Sequence, residues 1–338
     1  MTPELILAFE SSCDDTSVAV VDTDYRVLVN LISSQPEHLE FGGVLPELAS
    51  RLHLKNILYL TRQALNKAEV SLADISAIAV SINPGLIGSL IVGLAFAKSL
   101  AWSRSKPLIT VNHMLSHIFA NLIDDPAIKP PFLALVVSGG HTELVHFHDF
   151  IHFDVIGKTL DDAAGETFDK AAKIMGLGFP GGPIIDRLAR TGNPAFVEFP
   201  RGMNRKGNFN FSYSGMKTAV LNYLYQHDKS FIEANISDLA ASIQQAIIDP
   251  LIHKSITYAR ENQLHSILLA GGVAANSALR TQLTDKAAKY GIKCHAPSLK
   301  LCMDNAAMVA AAAIPKYLNG DFSSLSINAF SAKGTKHL

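Results

Sequence analysis

Apolar and polar positions alternate along the chain in a way that divides it into strand-like and helix-like segments. Leu5 to Glu10 is a short apolar run of buried-strand type, Ser11 to Asp15 a polar turn, and Ser17 to Asp22 a returning strand of Val-Ala-Val-Val type. The same grammar recurs later, with Phe132 to Val137 as a buried strand, Ser138-Gly139-Gly140-His141 as a tight turn, and Thr142 to Phe147 as the return. Two apolar hairpins with phosphate-sized turns predict an internally duplicated α/β architecture, one hairpin opening each lobe.

Between the hairpins, Val44 to Leu65 reads as an amphipathic helix with Arg51, Lys55 and Arg62 on its wet side. Ala77 to Ile82 reads as a strand, Asn83-Pro84-Gly85 as a breaker, Gly88 to Trp102 as an apolar helix, and Leu108 to Val111 as a strand before a helix carrying His113. Pro126, Pro130 and Pro131 mark a linker, which predicts lobes at 1–129 and 130–338, the last helix able to pack back on the first lobe. In the second half, 161–175, 184–190, 237–260, 277–290 and 304–317 read as helices and 266–270 as a strand. Ser237 is placed to cap its helix and Pro250 to kink it.

Composition narrows the class. A chain of 338 residues, 48% hydrophobic and 17% charged, buries a large core, and its net charge of −1 provides no global field for nucleic acid or an anionic membrane. RNA contact therefore needs a local patch or a partner's surface. Cys13, Cys294 and Cys302 contain no C-x-x-C pair, which argues against a disulfide framework and fits a cytoplasmic location. Met1 to Glu10 has no basic start of the signal-peptide kind, and the uncharged run from Ile75 to Ala97 is divided at Pro84-Gly85 into parts too short to span a bilayer.

The candidate chemistry starts at His113 and His117, whose i, i+4 spacing places both imidazoles on one helix face within reach of one metal ion. Thirteen histidines make such a spacing expected in roughly one of two chains of this composition. His148 and His152 share it in a strand-like context where it brings nothing together, so metal pair and partly buried histidines both stay open. Glycine turns at Ser138-Gly139-Gly140, Gly181-Gly182 and Gly271-Gly272 allow backbone N–H groups to approach a phosphate, although none fits G-x-G-x-x-G or the Walker pattern. Asp169 and Asp186, each one helical turn past a glycine, are ribose acceptors or ordinary surface carboxylates. Asp304 is a helix N-cap or the oxygen ligand of a two-histidine, one-carboxylate metal site.

Eight ordered runs carry a resemblance: Glu10-Ser-Ser-Cys-Asp-Asp-Thr16, Gly42-Gly-Val-Leu-Pro-Glu-Leu-Ala-Ser-Arg51, Asn83-Pro-Gly-Leu-Ile-Gly88, Val137-Ser-Gly-Gly-His-Thr142, Asp161-Asp-Ala-Ala-Gly-Glu-Thr-Phe-Asp-Lys170, Pro180-Gly-Gly-Pro183, Ser212-Tyr-Ser-Gly-Met-Lys-Thr218 and Ala270-Gly-Gly-Val-Ala-Ala-Asn276. Together they resemble the bacterial tRNA N6-adenosine threonylcarbamoyltransferase catalytic subunits, from Leu5 to about Ala312. The resemblance implies a duplicated, two-lobed actin/Hsp70-like α/β fold with a nucleotide cleft between the lobes. It also implies transfer of threonylcarbamoyl from threonylcarbamoyl-adenylate to N6 of adenosine 37, in tRNAs reading codons that begin with A.

Carried over by position, the resemblance makes His113, His117 and Asp304 ligands of one divalent metal ion, iron(II) ahead of zinc. It makes Val136, Val137, Ser138, Gly139, Gly140, Asp169, Gly182, Asp186 and Asn276 the residues that hold the adenylate. The implied partners are tRNA, a nonenzymatic paralogous subunit and a small P-loop ATPase, with no membrane. This chain departs from the family at Asn112, Leu115 and Ser116, where a Glu often stands at position 115, and at its tail, which lacks the family's arginine-rich run. The carboxylate that would back a histidine ligand is then in question.

Asp14 and Asp15 are candidates for removing a proton from the attacking amine. Arg201, Arg205, Lys206 and Lys217, interleaved with Phe209, Phe211 and Tyr213, read as a tRNA contact or as a strand with its aromatics in the core. A zinc metalloprotease is disfavoured because Met114 stands where its general-base Glu is needed. A sugar-kinase-like or ATP-binding module, with purely structural histidines, is the remaining alternative.

Overall fold

The computed structural model describes residues 3–41, 43–203 and 207–331. The chain forms two compact units, one of residues 1–128 with 297–338 and one of residues 129–296.

In the first unit, β1 (Leu5–Glu10), β2 (Asp15–Asp22) and β3 (Val27–Ser34) form a meander, followed by α1 (Pro46–Lys67), β4 (Ile75–Asn83), α2 (Ile87–Ser103), β5 (Leu108–Asn112) and α3 (His113–Asp124). The sheet order is β3-β2-β1-β4-β5, antiparallel among the first three strands and parallel from β1 to β5. Strands buried on both faces explain their unbroken apolar runs, and Leu7, Phe9, Val18, Val20, Ile78 and Val80 form the centre of this core. The Ile75 to Ala97 run is divided between β4 and α2, and among the described residues no helix is long and apolar enough to cross a membrane.

The second unit repeats the plan. β6 (Phe132–Val137), β7 (Thr142–Phe147) and β8 (Phe153–Lys158) precede α4 (Ala164–Ile174), α5 (Gly181–Ala189), α6 (Ser214–Tyr225), α7 (Lys229–Ala234), α8 (Ile236–Glu261), β9 (Ser266–Ala270), α9 (Ser277–Ala288) and β10 (Lys293–His295). Its sheet order, β8-β7-β6-β9-β10, has the same sequence of antiparallel and parallel pairings as the first. The duplication read from two hairpins is thus a duplication of whole sheets; β3 and β8, which complete each meander, are the strands that the hairpin pattern left out.

From Pro297 the chain belongs to the first unit again, through α10 (Leu299–Cys302) and α11 (Ala306–Leu318). The observed second unit ends at 296, before this terminal segment, whose last helix was expected to be able to pack back on the first lobe. The reason is packing: Ala306 to Pro315 are all buried, and the small side chains let α11 lie against α3, β1 and β2. One local expectation also changes: Asn235, not Ser237, stands at the N-cap of α8, whose interior holds Pro250.

Candidate functional site

Asn112 sets the first turn of α3: its side-chain oxygen accepts from the Met114 and Leu115 amides at 2.8 and 3.1 Å. The turn that follows presents His113 and His117 on one face, ring centroids 4.8 Å apart and nearly perpendicular. Asp304 arrives from the start of α11. Asn305 caps that helix, accepting from the Met308 amide at 3.0 Å, which leaves the Asp304 carboxylate free of the capping role and facing the imidazoles.

Asp304 Oδ1 lies 3.5 Å from His113 Nε2 and 3.2 Å from His117 Nε2, and one ligand atom from each of the three residues falls within 4.8 Å of the others. Ligands held about 2.1 Å from one ion are separated by roughly 3.0 to 3.4 Å in octahedral or tetrahedral geometry, so the two aspartate–imidazole spacings are close to those of a single metal ion. Donor chemistry agrees. Glu10, fully buried at the end of β1, places Oε2 3.0 Å from His113 Nδ1, and its Oε1 accepts the Ser12 amide at 2.6 Å. A carboxylate accepting at Nδ1 leaves Nε2 as the metal-facing nitrogen. Ser12 Oγ is also 3.1 Å from Nδ1.

Electrostatics follow from this clustering. Burial alone would pull the His113 pKa down, but the charges of Glu10 and Asp304 outweigh it and raise it to about 9. Burial raises the Asp304 carboxyl, yet the His113 charge and the bond from His117 hold it well below the usual range. Glu10 is lowered as well, its burial offset by His113. Asp15, at the start of β2, is pushed up to about 6, chiefly by burial, with the charges of Asp304, Asp14 and Glu10 adding to it.

At the positions that depart from the family pattern in α3, the side chains have local roles. Leu115 and Met114 are core side chains, Ser116 Oγ donates to the Asn112 carbonyl at 3.0 Å, and the carboxylate behind His113 comes from β1. Glu10 was missed as a functional residue; its signals were a charged residue closing an otherwise apolar strand and its place at the head of the Glu10–Thr16 run. His148 and His152 do not join, each being paired separately on the surface with Asp154 at 2.8 Å and Asp149 at 2.7 Å.

The candidate adenylate residues gather within the second unit. Val136 and Val137 end β6, buried, and Ser138 turns the chain by donating its amide to the His141 carbonyl at 2.8 Å. A side chain at Gly139 or Gly140 would meet open space, whereas a Cβ on Gly165 would lie 2.5 Å from the Ser138 carbonyl oxygen. Gly271, at φ +87°, would place a Cβ 2.5 Å from the Val137 oxygen. The three polar candidates are already bonded to protein. Asp169 accepts the Gly181 amide at 2.7 Å; burial raises its pKa against the bonds from Gly181 and Gly182. Asp186 accepts from the Ser277 amide and hydroxyl at 3.1 and 2.8 Å. Asn276 caps α9 through Leu279 and donates to Gln244 at 2.7 Å. These side chains stitch the glycine turns of α5 and α9 into one assembly, with Gly182 in the first turn of α5.

In the basic and aromatic stretch, Phe211 and Tyr213 are buried, Phe209 packs edge-on against Tyr258, and Arg201 pairs with Asp249 at 3.1 Å. The aromatics therefore serve the core, and Lys217 stands exposed in α6. Arg205, Lys206, Gly42 and the tail from 332 lie outside the described residues.

Residues 26–311 match the family described as TsaD, tRNA N6-adenosine threonylcarbamoyltransferase. A curated relative of that name from Clostridium perfringens is 50% identical over 330 residues, covering 97% of each chain. Another from Moorella thermoacetica is 48% identical over 325 residues, covering 96% of this chain and 95% of its own. Among solved structures, HypF of T. kodakarensis is similar in fold, with a TM-score of 0.63 at 13% identity over 94% of this chain and 48% of that one. The (R)-2-hydroxyglutaryl-CoA dehydratase component A of Acidaminococcus fermentans has a TM-score of 0.54 at 13% identity, over 94% and 98%. With its duplicated α/β sheets, the chain belongs to the tRNA N6-adenosine threonylcarbamoyltransferase family and is a transferase of tRNA modification.

Proposed function

We propose that the protein transfers the threonylcarbamoyl group of threonylcarbamoyl-adenylate to N6 of adenosine 37, in tRNAs reading codons that begin with A, in the cytoplasm. The observation that carries this reading is the convergence of His113, His117 and Asp304, with Glu10 behind His113. Two imidazoles and one carboxylate with positions left open favour iron(II) ahead of zinc. A bound ion would supply Lewis acidity at the carbonyl of the acyl group.

The remaining chemistry belongs to side chains and amides. The Ser138 hydroxyl, the amides of Gly139 and Gly140 and the turns at Gly182 and Asn276 hold the adenylate, with Val136 and Val137 forming the floor and Asp169 and Asp186 fixing the turns. The N6 amine attacks the acyl carbon, the bond from that carbon to the phosphate oxygen breaks, and AMP departs. Asp15, whose carboxyl pKa lies at about 6, is ionised at neutral pH and accepts the proton that the amine loses.

Exposed Leu54 and Leu58 on α1 and Ile87 and Ile91 on α2 support docking of a paralogous subunit on that face, and a small P-loop ATPase would drive turnover. The test is to incubate the protein with threonylcarbamoyl-adenylate, tRNA and these partners and to measure the nucleoside by mass. A product heavier than adenosine by the threonylcarbamoyl group supports the reading; unmodified adenosine in the presence of all components rejects it.

A further inference from the structure

The inward face of α1 is apolar at Ala49, Ile57, Leu60 and Ala64, with two polar interruptions: Thr61, whose hydroxyl donates to the Ile57 carbonyl at 2.7 Å within the helix, and His53, fully buried. An imidazole in such a stripe costs stability unless both nitrogens are bonded, and both are. His53 Nε2 lies 2.9 Å from the Cys13 carbonyl oxygen and Nδ1 2.8 Å from Thr16 Oγ1. A carbonyl only accepts, so Nε2 carries the proton and Nδ1 accepts from the Thr16 hydroxyl. Burial lowers the His53 pKa and keeps the ring neutral, as this pattern requires.

Both bonds end on the segment Ser11–Thr16, which comprises the turn after β1 and the first two residues of β2. That turn is also held by Leu86 N to the Ser12 carbonyl at 2.8 Å and by Ser11 Oγ to the Ser89 carbonyl at 2.9 Å. It carries Ser12, which touches His113, and the acidic pair Asp14 and Asp15. The His53 bond to the Cys13 carbonyl holds the middle of the turn.

We propose that His53 is a positioning residue for the transfer reaction, tying the Ser11–Thr16 segment to α1 so that Ser12 keeps its place against His113 and Asp14 and Asp15 keep theirs next to it in the chain. The proposal rests on the transfer reading above. Its test compares the parent chain with His53→Ala and His53→Gln in steady-state transfer, in metal content, and in amide hydrogen exchange of the Ser11–Thr16 segment. For His53→Ala the expected result is a fall in kcat of about 10- to 100-fold, with KM for tRNA within about twofold and metal content unchanged. Exchange of the turn should quicken about tenfold. His53→Gln, whose amide donates to the Cys13 carbonyl, should recover most of the lost kcat.

Parental kcat in His53→Ala, or equal loss in both variants, would overturn the proposal. Should His53→Ala fail to fold, Thr16→Val removes only the hydroxyl at Nδ1 and is read in the same three ways. Exchange separates the two ideas: a parent chain that makes no product while its turn loosens in the variants rejects the transfer reading and leaves the anchoring intact.

Discussion

Glu10 Oε2 lies 3.0 Å from His113 Nδ1, joining the last residue of β1 to the first residue of α3 beneath the candidate metal ligands. The carboxylate fixes which imidazole nitrogen faces Asp304 and raises the basicity of that nitrogen. Glu10→Gln should therefore weaken divalent-metal affinity about 10- to 100-fold, as read by competition with a chelating dye. Unchanged affinity would separate Glu10 from the site.

Asp304 supplies the only oxygen of the three-donor set and makes no capping bond to α11, so its removal should spare the fold. Asp304→Ala is expected to abolish transfer and reduce bound metal below one ion per chain, with the helical circular dichroism signal unchanged. A variant that is stripped of metal but still active would remove metal from the mechanism.

Metal binding should depend on pH through His113. Its pKa of about 9 means that the metal-free ring is protonated at neutral pH and must lose that proton to coordinate. Affinity should thus rise about tenfold per pH unit between roughly pH 7 and 9 and flatten above. Stability of the metal-free protein has the opposite slope there. A raised histidine pKa contributes stability that is complete below the unfolded value near 6.5 and is lost as pH rises through about 9. Glu10 and Asp304, both lowered, contribute stability above the ordinary carboxylate range that is lost on acidification. Thermal melting of the chelated protein should peak between about pH 5 and 6.5, and a flat profile would count against this charge cluster.

Gly165→Ala tests the second unit. Its Cβ would press on the Ser138 carbonyl 2.5 Å away, at the start of α4, so the Ser138–Gly140 turn has to shift. Overpacking of this kind costs about 1–3 kcal/mol. The expected kinetic result is a rise in KM for threonylcarbamoyl-adenylate with KM for tRNA unchanged. The same substitution at Gly139, where a Cβ meets open space within the protein, should leave the melting temperature unchanged, and equal destabilisation by both would refute the distinction.

What the sequence determined is local. Strand runs, glycine turns and the i, i+4 interval of His113 and His117 are properties of adjacent residues, because burial of a strand and the pitch of a helix are written within a few positions. Whole-sheet duplication was legible from its opening hairpins, since each sheet is built outward from β1 or β6. Which distant groups meet was decided only by tertiary packing. Glu10 and His113 are 103 positions apart, and His53 reaches Cys13 across 40. Asp304 reaches the histidines because α11 packs its buried alanines against α3, inside the first unit. The aromatic residues from 209 to 213 look equally fit for RNA or for a core, and burial of Phe211 and Tyr213 settled that choice. Such pairings depend on side-chain volume and hydrogen-bond satisfaction summed over the folded chain, and no local pattern encodes that sum.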